Sequence, residues 1–419
     1  MSSRIPKFYQ LSPKERLEIV AEVSKITEED QRVISSEKSF SVEQADRMIE
    51  NVIGSIPIPI GVAVNFKVNN RDVLIPMATE EPSVVAAASN AAKLTYETGG
   101  FKTSYSGSVM RAQVQITELK NPYYAMAKVY EKKEEIIELC NQQDSTLVSL
   151  GGGATDIDLQ VIDGEYEKYL VVHLVVNTLD AMGANTVNTM AEACAPFLEE
   201  ITGGKVVLRI LSNLADRRIV RASAVFKNPF NNDKQMINRF KYGFDLAMTD
   251  PYRAATHNKG IMNGITAVVL ASGNDTRAIE AGAHAYAAKS GQYQSLTKYE
   301  FAENGDIYGM IELPLAVGLV GGATQAHPVA KASTKIMNVK SAEELSSIIA
   351  SVGLAQNFAA LRALATDGIQ KGHMKLHARN LAAMAGAKDH EIDTVVKMAT
   401  EKGKFTFDTI KEIVKEINK

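Results

Sequence analysis

The sequence has little cysteine and no tryptophan; Cys140 and Cys194 are the two thiols in 419 residues. Two cysteines cannot frame a disulfide-stapled domain or a Cys-based zinc module, and they fit a reducing cytoplasm. Nor is there a surplus of either charge. The 46 basic and 49 acidic side chains leave a net charge of -3, so electrostatics gives no reason to expect a partner in nucleic acid or an anionic membrane. No long apolar run is visible. The most apolar stretch, Leu313 to Ala330, is broken by Gly318, Gly321, Gly322, Gln325 and His327, whereas a membrane span needs roughly 20 mostly apolar residues. The polar start of the chain has no apolar h-region, which predicts no signal peptide. A Walker loop, a G-x-G-x-x-G turn, a G-x-S-x-G elbow and an H-E-x-x-H helix are all missing. What remains is an ordinary globular composition, 45% hydrophobic and 23% charged, in a chain long enough for two or three domains.

The order of elements is more informative. Ser12-Pro-Lys-Glu15 and Ser41-Val-Glu-Gln44 are capping boxes that open helices, the second running to about Glu50. The period then changes to two. Val62, Val64, Phe66 and Val68 alternate, and Asn69-Asn70 turns into Val73-Leu74-Ile75. An alanine-rich helix follows Pro82 and stops at Gly99-Gly100. From Val109 to Lys227 the pattern predicts strand Ala112–Ile116, helix Pro122–Gln142, strands Ile157–Val161 and Tyr169–Val176, helix Thr186–Ile201, and strands Val206–Leu211 and Ile219–Phe226. That is β-α-β-β-α-β plus one strand, a ferredoxin-like order. The expected fold class is α+β: a mixed catalytic domain (residues 1–108 and 228–370), an inserted ferredoxin-like unit (109–227) and a small helical C-terminal segment (371–419). Asn304-Gly305 predicts a hairpin, Ser341 opens a helix, and Ala355 to Ile369 reads as another.

Four clusters hold polar groups that could carry chemistry. Glu80-Glu81-Pro82-Ser83 stands just before a helix, where a carboxylate either favours the dipole or serves as a buried general acid. Arg253-Ala-Ala-Thr256-His257-Asn258-Lys259-Gly260-Ile-Met-Asn263-Gly264 is either a solvated loop between helices or a site. In the second case Lys259 faces a developing oxyanion and Arg253 clamps a carboxylate. Asp275 in Gly273-Asn274-Asp275 is a natural N-cap for the helix Thr276–Ala287, with a second role only if Lys259 is near. His373 and His377 share a helix face, but no third ligand type accompanies them; a proton donor is the better expectation than a metal site. Between a strand and a helix, Asp180-Ala181-Met182-Gly183-Ala184-Asn185 can present backbone N–H groups to a pyrophosphate.

Glu50-Asn-Val-Ile-Gly54, Glu80-Glu-Pro-Ser83, Asp180-Ala-Met-Gly-Ala-Asn185, His257-Asn-Lys-Gly-Ile-Met-Asn-Gly264, Gly273-Asn-Asp275 and Gly372-His-Met374 occur in one order. With these motifs the whole chain resembles the class II, soluble HMG-CoA reductases. The resemblance implies reduction of (S)-HMG-CoA to mevalonate and CoA in the mevalonate pathway, with two NAD(P)H and no metal. It implies catalytic roles for Lys259, Glu81, Asp275 and His373, the last protonating the CoA thiolate from a mobile C-terminal flap. Ser83, Arg253, Thr256 and Asn263 fall at substrate positions. Asp180, Met182, Gly183, Ala184, Asn185 and Asn188 fall in the dinucleotide segment. It also implies a cytoplasmic homodimer, or a multiple of dimers, with shared active sites. NADH-specific members carry an aspartate where this chain has Asn177. The neutral amide lacks the charge that repels a 2'-phosphate, so NADPH acceptance is expected, with NADH also usable. Two other readings stay open: the mevalonate-oxidising direction, and a CoA- or nucleotide-binding regulatory protein without catalysis.

Overall fold

The computed structural model describes residues 2–35, 41–366, 368, 378–388 and 390–418. The architecture is α+β, with one two-stranded and two four-stranded sheets. The first hairpin pairs β1 (Ile60–Val68) with β2 (Arg71–Ala78). Its turn is the expected Asn69-Asn70, both residues at positive φ, where asparagine is tolerated. Both capping boxes form, although the helix opened by Ser41 ends at Asp46, short of the expected Glu50.

One four-stranded sheet is built from β4 (Val109–Thr117), β5 (Gly153–Asp163), β6 (Lys168–Asn177) and β7 (Lys205–Ser212). They lie in the order β5-β6-β4-β7, every pair antiparallel. This is the ferredoxin-like arrangement read from the sequence. Its first helix is broken at Lys132 into Pro122–Glu131 and Lys133–Asn141. The extra strand does not join this sheet. β8 (Ile219–Phe226) lies between β3 (Lys102–Tyr105) and β10 (Ile307–Pro314), with β9 (Thr297–Phe301) completing the second sheet. Periodicity had identified the strand but carries no information about its partner. One contiguous hydrophobic cluster runs through both units, from Met110 and Leu170 to Phe226 and Phe358.

The platform for the rest is the helix Ala342–Ala365, one 24-residue element where the sequence suggested a capped start and a separate later helix. By length and apolarity it could cross a membrane, but 72% of its most apolar window is buried inside the fold. A helix apolar all round is a core helix when neighbours cover it. Here the helices Val84–Thr95, Lys234–Thr249 and Pro251–Ala271 pack on it, as do β8 and β10. Phe358 stacks on Phe226, with Phe240 tilted against its ring and edge-on to that of Tyr299. The C-terminal residues have a small core of their own around Ala378, Val395, Ile410 and Ile413.

Candidate active site

The polar run Arg253–Gly264 is part of a continuous helix, Pro251–Ala271, and no loop interrupts it. Asp250 caps it by accepting the Arg253 N–H at 2.7 Å, and Pro251 occupies its first turn. The two glycines do not stop it; Gly260 faces open space, whereas Gly264 sits against a neighbouring helix. A Cβ on Gly264 would meet Gln356 at 2.9 Å, so its absence lets this helix close on the core helix. Positions 253, 256, 259 and 263 recur at three- and four-residue intervals, which places Arg253, Thr256, Lys259 and Asn263 along one stripe. The buried side presents His257, Asn258 and Ile261. Asn258 donates to the Gln294 carbonyl and accepts from the Leu296 N–H. His257 Nε2 sits among Thr297 Oγ1, Ser295 Oγ and Asn357 Nδ2 at 2.9, 2.7 and 3.1 Å. Burial, with Arg253 nearby, pushes the His257 imidazole down to about 3, so it is a neutral structural group.

Lys259 meets Glu81 across the site. Its ammonium donates to Glu81 Oε2 at 2.7 Å, while Asn263 Nδ2 donates to Oε1 at 3.1 Å. The Glu81 carboxylate is thereby held from both oxygens by one helix. The pair is open: the Lys259 side chain is 62% exposed and that of Glu81 35%. Two residues later Ser83 adopts φ +75°, a left-handed conformation for a non-glycine residue, and begins the helix Val84–Thr95 without a side-chain cap. Such a backbone costs of order 1–3 kcal/mol and marks a place that the surroundings over-determine. The Ser83 hydroxyl is therefore not spent on the helix it precedes. Arg253 is half-buried, and burial lowers its guanidinium from the ordinary value. Asp275 behaves as a cap, accepting the Arg277 and Ala278 N–H groups at 2.9 and 3.2 Å and pairing with Arg277. Among the described residues it forms no ion pair with Lys259. His373 and His377 lie outside the described residues.

The second half of the site is backbone. After β6, Asn177 Oδ1 accepts the Leu179 N–H, and Leu179 turns left-handed at φ +50°. Asp180 Oδ1 accepts the Ala342 N–H at 2.7 Å, tying the turn to the start of the core helix. Gly183 has φ +97°, and a Cβ there would stand 2.3 Å from Thr178 Cγ2. It begins the 19-residue helix Ala184–Thr202 with no side-chain cap. An uncapped helix start with free N–H groups suits an anion, so the residues present fit a dinucleotide pyrophosphate. Asn188 points elsewhere along that helix: its Oδ1 accepts the Leu211 N–H of β7. Two residues escaped the sequence reading. Asp144 accepts from Thr186 Oγ1 at 3.2 Å, which sets a carboxylate beside the same helix start. Arg218 lies buried beneath the turn. Neither belongs to a motif, so spacing could not find them.

An ammonium bound by a carboxylate on one side, and an open dinucleotide-type helix start on the other, suit hydride chemistry at a carbonyl. Residues 12–378 match the family model of hydroxymethylglutaryl-coenzyme A reductase. The chain belongs to that family. A 3-hydroxy-3-methylglutaryl-coenzyme A reductase from Archaeoglobus fulgidus is 55% identical over all of this chain and 95% of its own length. A probable one from Borreliella burgdorferi is 38% identical over 88% of this chain and 86% of its own. Among solved structures, a reductase from Streptococcus pneumoniae superposes with a TM-score of 0.84 at 40% identity, covering 98% of this chain and 99% of that one. Another, the class II enzyme of the same species bound to NADPH in open conformations, gives 0.83 at 41% identity over 86% and 99%. The HMG-CoA reductase fold and an NAD(P)H-dependent oxidoreductase function follow from the family.

Proposed function

We propose that this HMG-CoA reductase family member reduces (S)-HMG-CoA to mevalonate and CoA, the Lys259–Glu81 contact being the observation that carries the assignment of roles. Two NAD(P)H molecules, bound in turn, would supply one hydride each, the first for the thioester carbon and the second for the aldehyde. Lys259 stabilises the oxygen on which negative charge develops, at no cost of reorganisation because Glu81 and Asn263 already hold that corner of the site. The Lys259–Glu81 pair passes a proton to the second alkoxide. His373 protonates the departing CoA thiolate; a thiol's reference pKa of about 8.5 makes that protonation favourable near neutrality. Ser83, Arg253, Thr256 and Asn263 lie near the substrate carboxylate and carbonyl. Asp275 orients and tunes Lys259 and Glu81 once the site is complete.

A cavity of about 1350 Å³ lies between the N-terminal helix Pro13–Ser24 and β1, along Val85, Ala86 and Ser89 of the helix that Ser83 begins. Arg4, Lys7, Arg16 and Lys93 line it, which supports a path for the phosphates of CoA. Lys259 and Glu81 are not in its wall. A homodimer, or a multiple of dimers, in the cytoplasm is part of the proposal. Its support is the irregular segment that includes Ile49, Ile53 and Ile56, which is exposed in the single chain at 64%, 102% and 89%. The division into a catalytic domain, an inserted NAD(P) unit and a C-terminal flap is proposed likewise, with β8 paired to the catalytic sheet. For the cofactor, neutral Asn177 supports use of NADPH, while the Asp144 carboxylate at the dinucleotide helix works for NADH. The test is a steady-state assay of HMG-CoA against each cofactor. Turnover with both is expected; no oxidation of either on adding HMG-CoA rejects the function, and strict NADH dependence rejects the Asn177 argument.

A further inference from the structure

The strongest unassigned feature is the arginine beneath the dinucleotide turn. Arg218 is fully buried, and no carboxylate pairs with it within 4 Å among the described residues. Its guanidinium donates to neutral oxygens, while the Asp180 carboxylate acts on it from beyond contact distance. Nη1 donates to Thr178 Oγ1 at 3.1 Å and to the Ala181 and Met182 carbonyls at 3.0 and 3.3 Å. Nη2 donates to the Val317 carbonyl at 2.5 Å, and Nε to the Tyr105 hydroxyl at 3.0 Å. Removing a charge from water costs several kcal/mol, and an apolar side chain would fill the same space without that penalty. The arrangement therefore does something that packing alone does not require. Carbonyls turned down onto Arg218 turn the neighbouring N–H groups outward, because peptide planes are rigid. The peptide that follows Met182 carries the Gly183 N–H, and the helix with the uncapped start begins one residue later. From the other side the Leu319 N–H donates to the Asp180 carbonyl at 2.8 Å.

We propose that Arg218 is a positioning residue for the dinucleotide: it sets the direction of the N–H groups at the start of the Ala184–Thr202 helix while standing at the joint between β6 and β8. This rests on the reading of Asp180–Asn188 as the dinucleotide segment, and the experiment separates the two. NADPH binding is followed by its own fluorescence, HMG-CoA binding by calorimetry, and amide exchange by mass spectrometry, all on the full chain. In the parent protein NADPH should slow exchange over residues 181–187. Absence of that protection overturns the segment reading itself, and the proposal with it. With protection established, Arg218→Lys keeps the charge but cannot hold the same fork of acceptors. It should raise the NADPH dissociation constant about tenfold or more, leave that for HMG-CoA within about twofold, and speed exchange at 183–186 in the free protein. An unchanged NADPH constant overturns the proposal, as does equal weakening of both ligands, which a scaffold role would give. Tyr105→Phe removes the Nε partner, along with the hydroxyl contact to Ser108 at 3.0 Å, and covers the case in which Arg218→Lys does not fold; a roughly threefold NADPH effect is expected, and none overturns the proposal.

Discussion

The Lys259 corner and the Asp180–Asn185 turn are built by opposite means. At Lys259 the working groups are charged side chains on one helix stripe, half open to solvent and held to Glu81 by contacts of 2.7 and 3.1 Å. At the turn the proposed working groups are main-chain N–H donors, with side chains below them: Asp180 on the core helix, Thr178 against Gly183, Arg218 on the carbonyls. A side-chain site can lose one role at a time, whereas a backbone site moves as a unit. Substitutions in the two regions should therefore fail differently.

The largest effect is expected from Lys259→Ala. Losing one preorganised electrostatic donor costs about 10²–10³ in kcat; because Lys259 is the charged one here, the upper end or beyond is expected, with NADPH affinity unchanged. Steady-state rates and NADPH fluorescence together check this, and retained turnover would break the comparison at its first term. Next comes Gly183→Ala. The added methyl meets Thr178 in a backbone region that alanine resists, so KM for the cofactor should rise about tenfold or more while HMG-CoA binding holds. A pure kcat defect would count against a backbone-built pyrophosphate site. The last effect is on stability and leaves turnover near neutral pH untouched. The buried His257 binds its proton less readily folded than unfolded, its value falling from 6.5 to about 3. Its contribution is thus complete above pH 6.5 and lost as pH falls toward 3, with a slope of up to about 1.4 kcal/mol per pH unit. Denaturant titrations from pH 7 to 4 should show a shallower decline for His257→Gln; parallel curves would remove His257 from the account.

Much of this was legible in the residues. Capping boxes, the Asn69-Asn70 turn and period-two alternation located most early elements, because these signals are local. The ferredoxin-like order followed for the same reason. Strand partnership is non-local, so the placement of Ile219–Phe226 was missed. The polar run around Lys259 looked like a loop because helix signals assume an apolar stripe, and here the buried face includes His257 and Asn258, satisfied by partners 36 to 100 positions distant. Side-chain candidates such as Glu81, Lys259 and Asn263 were found from residue type and then met in space. Asp275 was named but appears in the single chain as a helix cap. Arg218 was invisible, since a lone arginine between two strands has no pattern.

The core helix also carries a consequence for the order of events during synthesis. Glu81 and Lys259 leave the ribosome well before Ala342–Ala365, yet the helices behind both of them rest on that element. Until it emerges, those helices and β8 have partners in β1, β2, β3 and β10 but lack the element that joins them. A nascent chain halted near residue 340 would thus hold the proposed catalytic Glu81, Lys259 and Asp275 without the element that joins the helices of the first two, and would be a natural client for chaperones.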